Sequence, residues 1–328
     1  MKRTMRRLGV LLVVAGTGLA LWRGVAELPG LPYAGAIARP VWAADGPAVL
    51  IDNAHWNAGT GTGRLRAFAG LLAADGYTVL PEGNATRAEM LENARIAVVA
   101  NPLGVLGAVR RVADRAGLAG LTFLDDDGLL TQEIETTVQW VENGGSLLVA
   151  ADESPLARGS RGLAARFGVG LRGRLVVDLG HSDGRDPSRL VFSRENGLFG
   201  VHPVVDGFPD APPVNRVVTF GGQAIEPPPG AAVLLRLGTS AAEVDRQGDP
   251  PTTGESVAGL AQAIAFERGR GRVVVLGDTH LLTADPAAGG VPTGLDWAAT
   301  NNERFVRYVM RWLSRRDDAP VPGRQTLR

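Results

Sequence analysis

The sequence predicts an α/β fold whose mostly parallel sheet is covered by helices on both faces. Three observations predict it. Short continuous apolar runs recur along the chain, amphipathic segments of helical period separate them, and several runs stop abruptly at Asp, Asn or His. At 328 residues and 45% hydrophobic content, the chain can bury a substantial core.

The elements follow in order. M-K-R-T-M-R-R precedes an apolar run from Leu8 to Trp22 that Arg23 closes, the pattern of a signal peptide or an N-terminal membrane anchor over residues 1–23. The run is shorter than the roughly 20 residues that span a bilayer, and the small-residue cleavage sites near Ala36 and Ala44 lie far downstream. Both readings therefore stay open, and both place the body of the chain outside the cytoplasm, exported or periplasmic, with its basic flank inside. Residues 24–46, rich in Pro, Gly and Ala, read as linker, and 47–315 as the α/β domain.

Within that domain Ala48 to Ile51 reads as a strand, Gly63 to Ala74 as a helix stopped by Asp75-Gly76, and Y-T-V-L-P as a second strand. A short helix around Arg87 to Asn93 leads to the strand R-I-A-V-V-A. Thr131 to Glu142 is amphipathic, with Thr131 expected as N-cap and Asn143-Gly144 as stop, and S-L-L-V-A-A supplies a fourth strand. Residues 168–254 carry short β-like runs between Pro and Gly clusters and read as a β-rich insertion lying along a sheet edge. A hairpin turning at Arg268 to Gly271 feeds the last strand, an amphipathic helix from Asn302 to Ser314 follows, and residues 316–328 read as a disordered tail.

Composition excludes several functions. Lys+Arg and Asp+Glu balance at 34 each, so no global field draws the chain to nucleic acid. There is no cysteine, which removes disulfides, thiolate metal sites and a Cys nucleophile.

In an open parallel sheet, ligands bind beyond the carboxyl ends of the strands. The groups expected there are Asp52, His55, Trp56 and Asn57 after the first strand, Asn101 after the third, Asp152 and Glu153 after the fourth, and Asp278 and His280 after the last. Turn capping explains one such Asp or Asn well, but two of the chain's four histidines less well. Asp52 and Asp278 are expected as hydrogen-bond acceptors, His55 and His280 as the pH-sensitive groups, and Trp56 as a stacking platform or a core residue. Neither metal-ligand spacing nor H-E-x-x-H is present, and no metal or other cofactor is predicted. Gly59, Gly61 and Gly63 precede a helix without forming a phosphate-binding fingerprint, and Asp125 to Asp127 read as a solvated acidic turn. Ser154 lies outside any nucleophile-elbow pattern, while His181 and His202 fall in the insertion, His181 on a surface loop.

The first strand with its D-x-x-H end, W-V-E-N-G-G-S-L-L-V-A-A-D, His202-Pro203-Val204, and G-R-V-V-V-L-G-D-T-H with N-N-E-R-F-V-R-Y-V-M-R-W-L together resemble the class I glutamine-amidotransferase-like superfamily. The closest likeness is to its uncharacterised prokaryotic members near the GldG-type and ThuA-type domains. The resemblance implies a flavodoxin-like sheet. It also implies a catalytic Cys after a central strand, where this chain has Ala151-Asp152-Glu153, and a His-Pro-Glu, where it reads His280-Leu281-Leu282. Amidotransferase thiol chemistry is thereby excluded. What remains is an exported or membrane-anchored binding domain for a carbohydrate or other polar small molecule. The alternatives are a hydrolase using Asp or Glu with His at the strand ends, metal-assisted where those groups ligate one, and a scaffold whose partner is an envelope protein. If His55 serves a ligand, His55→Ala should change stability by less than about 1 kcal/mol.

Overall fold

Four of the apolar runs lie side by side as the parallel centre of one sheet, in a computed structural model that describes residues 30–43, 45–81, 87–104, 107, 128–154, 156–184, 186–245, 252–286, 292–295 and 300–318. The N-terminal apolar run, Asp125 to Asp127 and residues 319–328 lie outside the described residues. In chain order the strands are β1 (Ala48–Ile51), β2 (Thr78–Val79), β3 (Ile96–Ala100), β4 (Ser146–Ala150), β5 (Gly170–Leu171), β6 (Leu175–Asp178), β7 (Val191–Ser193) and β8 (Arg216–Val218). They continue with β9 (Ile225–Glu226), β10 (Ala232–Arg236), β11 (Ala241–Asp245), β12 (Thr252–Ser256), β13 (Ala261–Arg268), β14 (Gly271–Leu276), β15 (Ala284–Pro286) and β16 (Pro292–Gly294). The helices are α1 (Arg66–Ala74), α2 (Arg87–Glu92), α3 (Thr131–Glu142), α4 (Arg158–Arg166), α5 (Pro203–Asp206) and α6 (Asn302–Leu313).

The main sheet runs β2-β1-β3-β4-β14-β13-β9-β5, with β10 also paired to β13. The pairings from β2 to β14 are parallel; those of β13, β9, β10 and β5 are antiparallel. The fold is therefore mixed α/β with a flavodoxin-like parallel centre. The insertion extends the sheet past the hairpin partner β13, and also forms a separate sheet of β12, β11 and β6 and a pair of β7 with β8.

Each central strand is apolar on both faces because helices cover both. Val49, Ile51, Val98, Leu148, Val274 and Leu276 pack with Phe68 and Leu72 of α1 and Phe305 and Val309 of α6. Leu50, Ala97, Val99, Leu147, Val149 and Val275 pack on the other side with Ile134 and Val138 of α3 and Leu163 of α4. This period of two within continuous apolar runs is the sequence signature of a doubly covered sheet.

Two ends differ from expectation. Thr131 lies inside the first turn of α3, and Leu130 holds the cap position with extended backbone. The reason is Glu133, whose Oε2 accepts the Leu130 N–H at 2.7 Å, so a carboxylate three residues on satisfies the helix end that a threonine hydroxyl was expected to satisfy. The described start of the tail is also engaged: Asp317 pairs with Arg311 and Asp318 with Arg272.

Residues 30–43 contain no helix or strand, yet Tyr33, Ile37 and Trp42 pack on the core face beside α1 and α6. Asp75 secures this segment. Its buried Oδ1 accepts from Val41 N at 2.9 Å and from Arg307 Nη2 at 2.8 Å, joining the segment, the end of α1 and α6. Asp75→Ala should therefore lower stability by about 3 kcal/mol, since it strands the Arg307 charge; chemical denaturation against the parent chain measures this.

Candidate functional site

Because β1, β3, β4 and β14 are parallel neighbours, the polar residues that follow them emerge on one rim. The rim divides into two networks.

The first surrounds His55. After Asp52, whose N–H makes a last bond to Val98 O at 2.9 Å, the chain turns through Trp56, half-buried and held at φ 52°. A left-handed aromatic residue is strained, and Asn57 holds the turn in place. Its side chain accepts from His55 N at 3.1 Å and donates to Ala100 O at 3.1 Å, at the end of β3. The His55 ring lies between two carboxylates: Nδ1 is 2.9 Å from Asp52 and Nε2 is 3.0 Å from Glu133 Oε1 on α3. Burial alone would lower its pKa, but the two carboxylates outweigh burial and raise it. Strand order makes the gap between β1 and β3 the switch point where ligands enter such sheets. Here an internal clamp occupies that gap, with both ring nitrogens committed to the protein.

The second network joins β3, β4 and β14. Asn101, at φ 42°, donates from Nδ2 to Asp152 Oδ2 at 2.8 Å and accepts from Asp152 N at 2.9 Å. Asp152 also accepts from Thr279 N and Thr279 Oγ1, both at 2.6 Å. Beside it Asp278, fully buried, accepts from Phe220 N at 2.7 Å and from His280 N and Nδ1, each at 2.9 Å. Burial pushes the Asp278 carboxyl up, but the His280 hydrogen bond and charge and the two backbone N–H groups hold it below the usual range. For His280, burial acts downward and the Asp278 bond and charge, helped by Asp152, lift the pKa to about 9. Its Nε2 lies 3.3 Å from Arg64 Nη2. Glu153 Oε2 accepts from Gly222 N at 3.1 Å, tying the insertion to the rim.

The nine expected residues thus separate. Asp52, His55, Trp56 and Asn57 build the β1 turn; Asn101, Asp152, Glu153, Asp278 and His280 gather at the ends of β4 and β14. Five further residues take part that sequence reasoning missed: Arg64, Glu133, Phe220, Gln223 and Thr279. Gln223, buried in the insertion, donates to Ala151 O at 3.0 Å and Asp152 O at 2.9 Å and accepts from Gly173 N at 2.7 Å. Its signal was the pair Gly221-Gly222 before it. A Cβ on Gly222 would sit 2.2 Å from Gly277 O, so only glycine lets the insertion backbone approach β14 this closely.

Other polar groups have local tasks. His202 caps α5, its Nδ1 accepting from Val204 N at 3.2 Å; burial beside Arg272 lowers its pKa to about 4. His181 bonds Asp178, as does Ser240. The Gly-rich loop uses amides internally, Gly61 N on Asn53 Oδ1 and Gly63 N on Thr60. Asp152, Asp278 and His280 bring ligand atoms within 4.8 Å of one another, close enough to hold a divalent cation. However, N–H or O–H donors already point at the oxygens of both carboxylates, so a cation would have to displace them.

No family model and no curated protein matches the chain. Among solved structures, it is similar to the mmIFT52 N-terminal domain, with 15% identity and a TM-score of 0.54 over 81% of this chain and 97% of that one. It is also similar to a ThuA-like protein from Bacteroides uniformis ATCC 8492, with 13% identity and a TM-score of 0.35 over 87% of this chain and 95% of that one. Exo-beta-1,4-mannosidase Op5Man5 from Opitutaceae bacterium strain TAV5 shares 14% identity and a TM-score of 0.37 over 82% of this chain and 36% of that one. The first likeness is one of fold. With the topology above, it defines an α/β chain of flavodoxin-like class whose structural neighbours include ThuA-like proteins at low sequence identity.

Two outcomes are expected. His55→Ala leaves Asp52 buried and facing Glu133 without its counter-charge, so the loss of stability should be about 3 kcal/mol in denaturant melts, above the small cost foreseen for a ligand group. The His280 pKa is raised on folding, so its contribution is complete below about pH 6.5 and disappears as pH rises through about 9. Melting curves across that window should show a fall on the order of 2 kcal/mol, after discount for the partly open ring, which His280→Gln removes.

Proposed function

We propose that this chain is an exported or membrane-anchored member of the class I glutamine-amidotransferase-like superfamily, near its GldG-type and ThuA-type domains, that binds a polar small molecule such as a carbohydrate. The binding site is the rim where β4 and β14 end. One observation carries the reading: His280 is fixed from within by Asp278 while the rest of its ring stays partly open, 31% exposed by side chain. A pre-set donor at the carboxyl end of a parallel strand is a recognition group.

Binding fits the site better than catalysis does. The hydroxyl next to His280, that of Thr279, donates to Asp152, and the chain has no thiol. Asp152, the general base such a hydrolase would use, already accepts hydrogen bonds from Asn101 and from the backbone and hydroxyl of Thr279. The scaffold alternative gains little from the insertion, where the exposed large apolar side chains among the described residues, Leu179 and Val201, are single residues of the ordinary kind. The N-terminal run from Leu8 to Trp22 supports export or anchoring, with an envelope protein as the natural neighbour.

A thermal-shift screen of the full chain against sugars, nucleotides, amino acids and divalent metals tests the reading. A ligand at a hundred times its dissociation constant adds about 2.7 kcal/mol, and that gain should vanish in His280→Gln. A gain that persists in the variant places binding elsewhere and overturns the proposal, as does a chain that responds to none of the compounds.

A further inference from the structure

Beside Gly173, which the rim network holds through Gln223, a cavity of about 570 Å³ opens between α4, the turn from β5 to β6 and the small sheet of β12, β11 and β6. Its size is that of a small-molecule site. Arg161, Leu171, Arg172, Arg174, Glu243 and Glu255 line it. Arg172 is committed to the protein. It donates through Nε at 3.0 Å and Nη2 at 3.3 Å to the two oxygens of buried Glu243, through Nη1 to Glu226 at 3.1 Å, and through Nη2 to Glu255 at 2.5 Å. Arg161 and Arg174 are not so committed. Arg161 Nη2 makes one long bond, 3.4 Å, to the Arg172 carbonyl, and among the described residues Arg174 makes no side-chain hydrogen bond or ion pair. The Arg161 guanidinium lies against the α-carbon of Gly173, where φ is 79° and a Cβ would come within 2.1 Å of Nη2, so glycine is required there. Arg174 Nη1 stands beside Gly254 of β12. The free donors lining the cavity are thus guanidinium N–H groups, which ask for an acceptor.

We propose that this cavity is a second ligand site, in which Arg161 and Arg174 receive the single oxyanion, phosphate or carboxylate, of a small hydroxylated molecule whose hydroxyls donate to Glu255. The proposal is independent of the rim reading. Planar guanidinium groups match the oxygens of an oxyanion. The glutamates set the limit on charge: Glu226, Glu243 and Glu255 equal the three arginines in number, so a ligand with several anionic groups is repelled. One anionic group with hydroxyls beside it suits both the arginines and the carboxylates. Leu171, half-buried, gives the carbon skeleton of such a ligand an apolar contact.

Isothermal titration of the full chain with glucose 6-phosphate, glucuronate, glucose and inorganic phosphate, at constant ionic strength, tests this. At least one of the two acidic sugars should bind, and its affinity should fall about tenfold or more in Arg161→Gln and in Arg174→Gln. Arg161→Lys and Arg174→Lys, which keep the charge but not the planar fork, should lose less. Both arginines are exposed and form no ion pair among the described residues, and melting curves establish that each variant is folded. His280→Gln should change the affinity by less than about twofold, which separates this cavity from the rim. Tighter binding of glucose 6-phosphate assigns the oxyanion as phosphate, and tighter binding of glucuronate as carboxylate; either supports the proposal. It is overturned if neither acidic sugar binds, if their binding survives both arginine substitutions, or if His280→Gln abolishes it. Glucose losing as much affinity in the arginine variants overturns the oxyanion, and inorganic phosphate binding as tightly as glucose 6-phosphate reduces the cavity to an adventitious ion only. None of these failures bears on the rim reading, whose test is the loss of binding in His280→Gln.

Discussion

The buried carboxylate of Asp152 is the interaction on which the rim depends. It accepts from Asn101 after β3 and from the backbone and hydroxyl of Thr279 after β14, while its own backbone follows β4. Three adjacent parallel strands are thereby joined beyond their last ladder bonds. A charge so deep in the protein is tolerable because N–H and O–H donors surround it, and its removal would leave those donors without acceptors. The position of His280 follows from this, since Thr279 cannot be held without placing the next residue.

Two histidines at equivalent strand ends meet opposite fates for electrostatic reasons. His55 has a carboxylate on each side, so both ring nitrogens are paired within the protein and its ring becomes a fastening between β1 and α3. His280 has carboxylates on one side and a guanidinium on the other. Its Nδ1 is held from behind by Asp278 and its Nε2 meets Arg64 in front, with the rest of the ring partly open. Sequence position alone, each histidine four residues past the end of its strand, carries no trace of that difference.

The central elements were legible because their physics is local. Continuous apolar runs gave β1, β3, β4 and β14, and period 3.6 gave α3 and α6 to within a residue or two of their ends. The rim was legible for a topological reason: parallel strands of one sheet must end on the same side, so Asp52, Asn101, Asp152 and Asp278 had to share it. What sequence could not give was reach. Glu133 meets His55 across 78 positions, and Arg64 meets His280 across 216. No periodicity encodes such pairings. The segment 30–43 was opaque for a related reason, since its role depends on Asp75 and Arg307, not on any pattern of its own.

The place of β14 in the sheet has a consequence for how the chain is made. Its register pairs Leu276 with Ala150, so the strand beside β4 is supplied by residues synthesised 126 positions later. Until then β4 has an open edge, and β13, with the insertion strands paired to it, lacks β14, the strand that joins it to β4. Loop closure over so long a span is slow, and the half-built sheet gains little from forming early. The sheet is consequently completed late, when its last central strand arrives. Late closure of this kind is a kinetic property already written into the strand order.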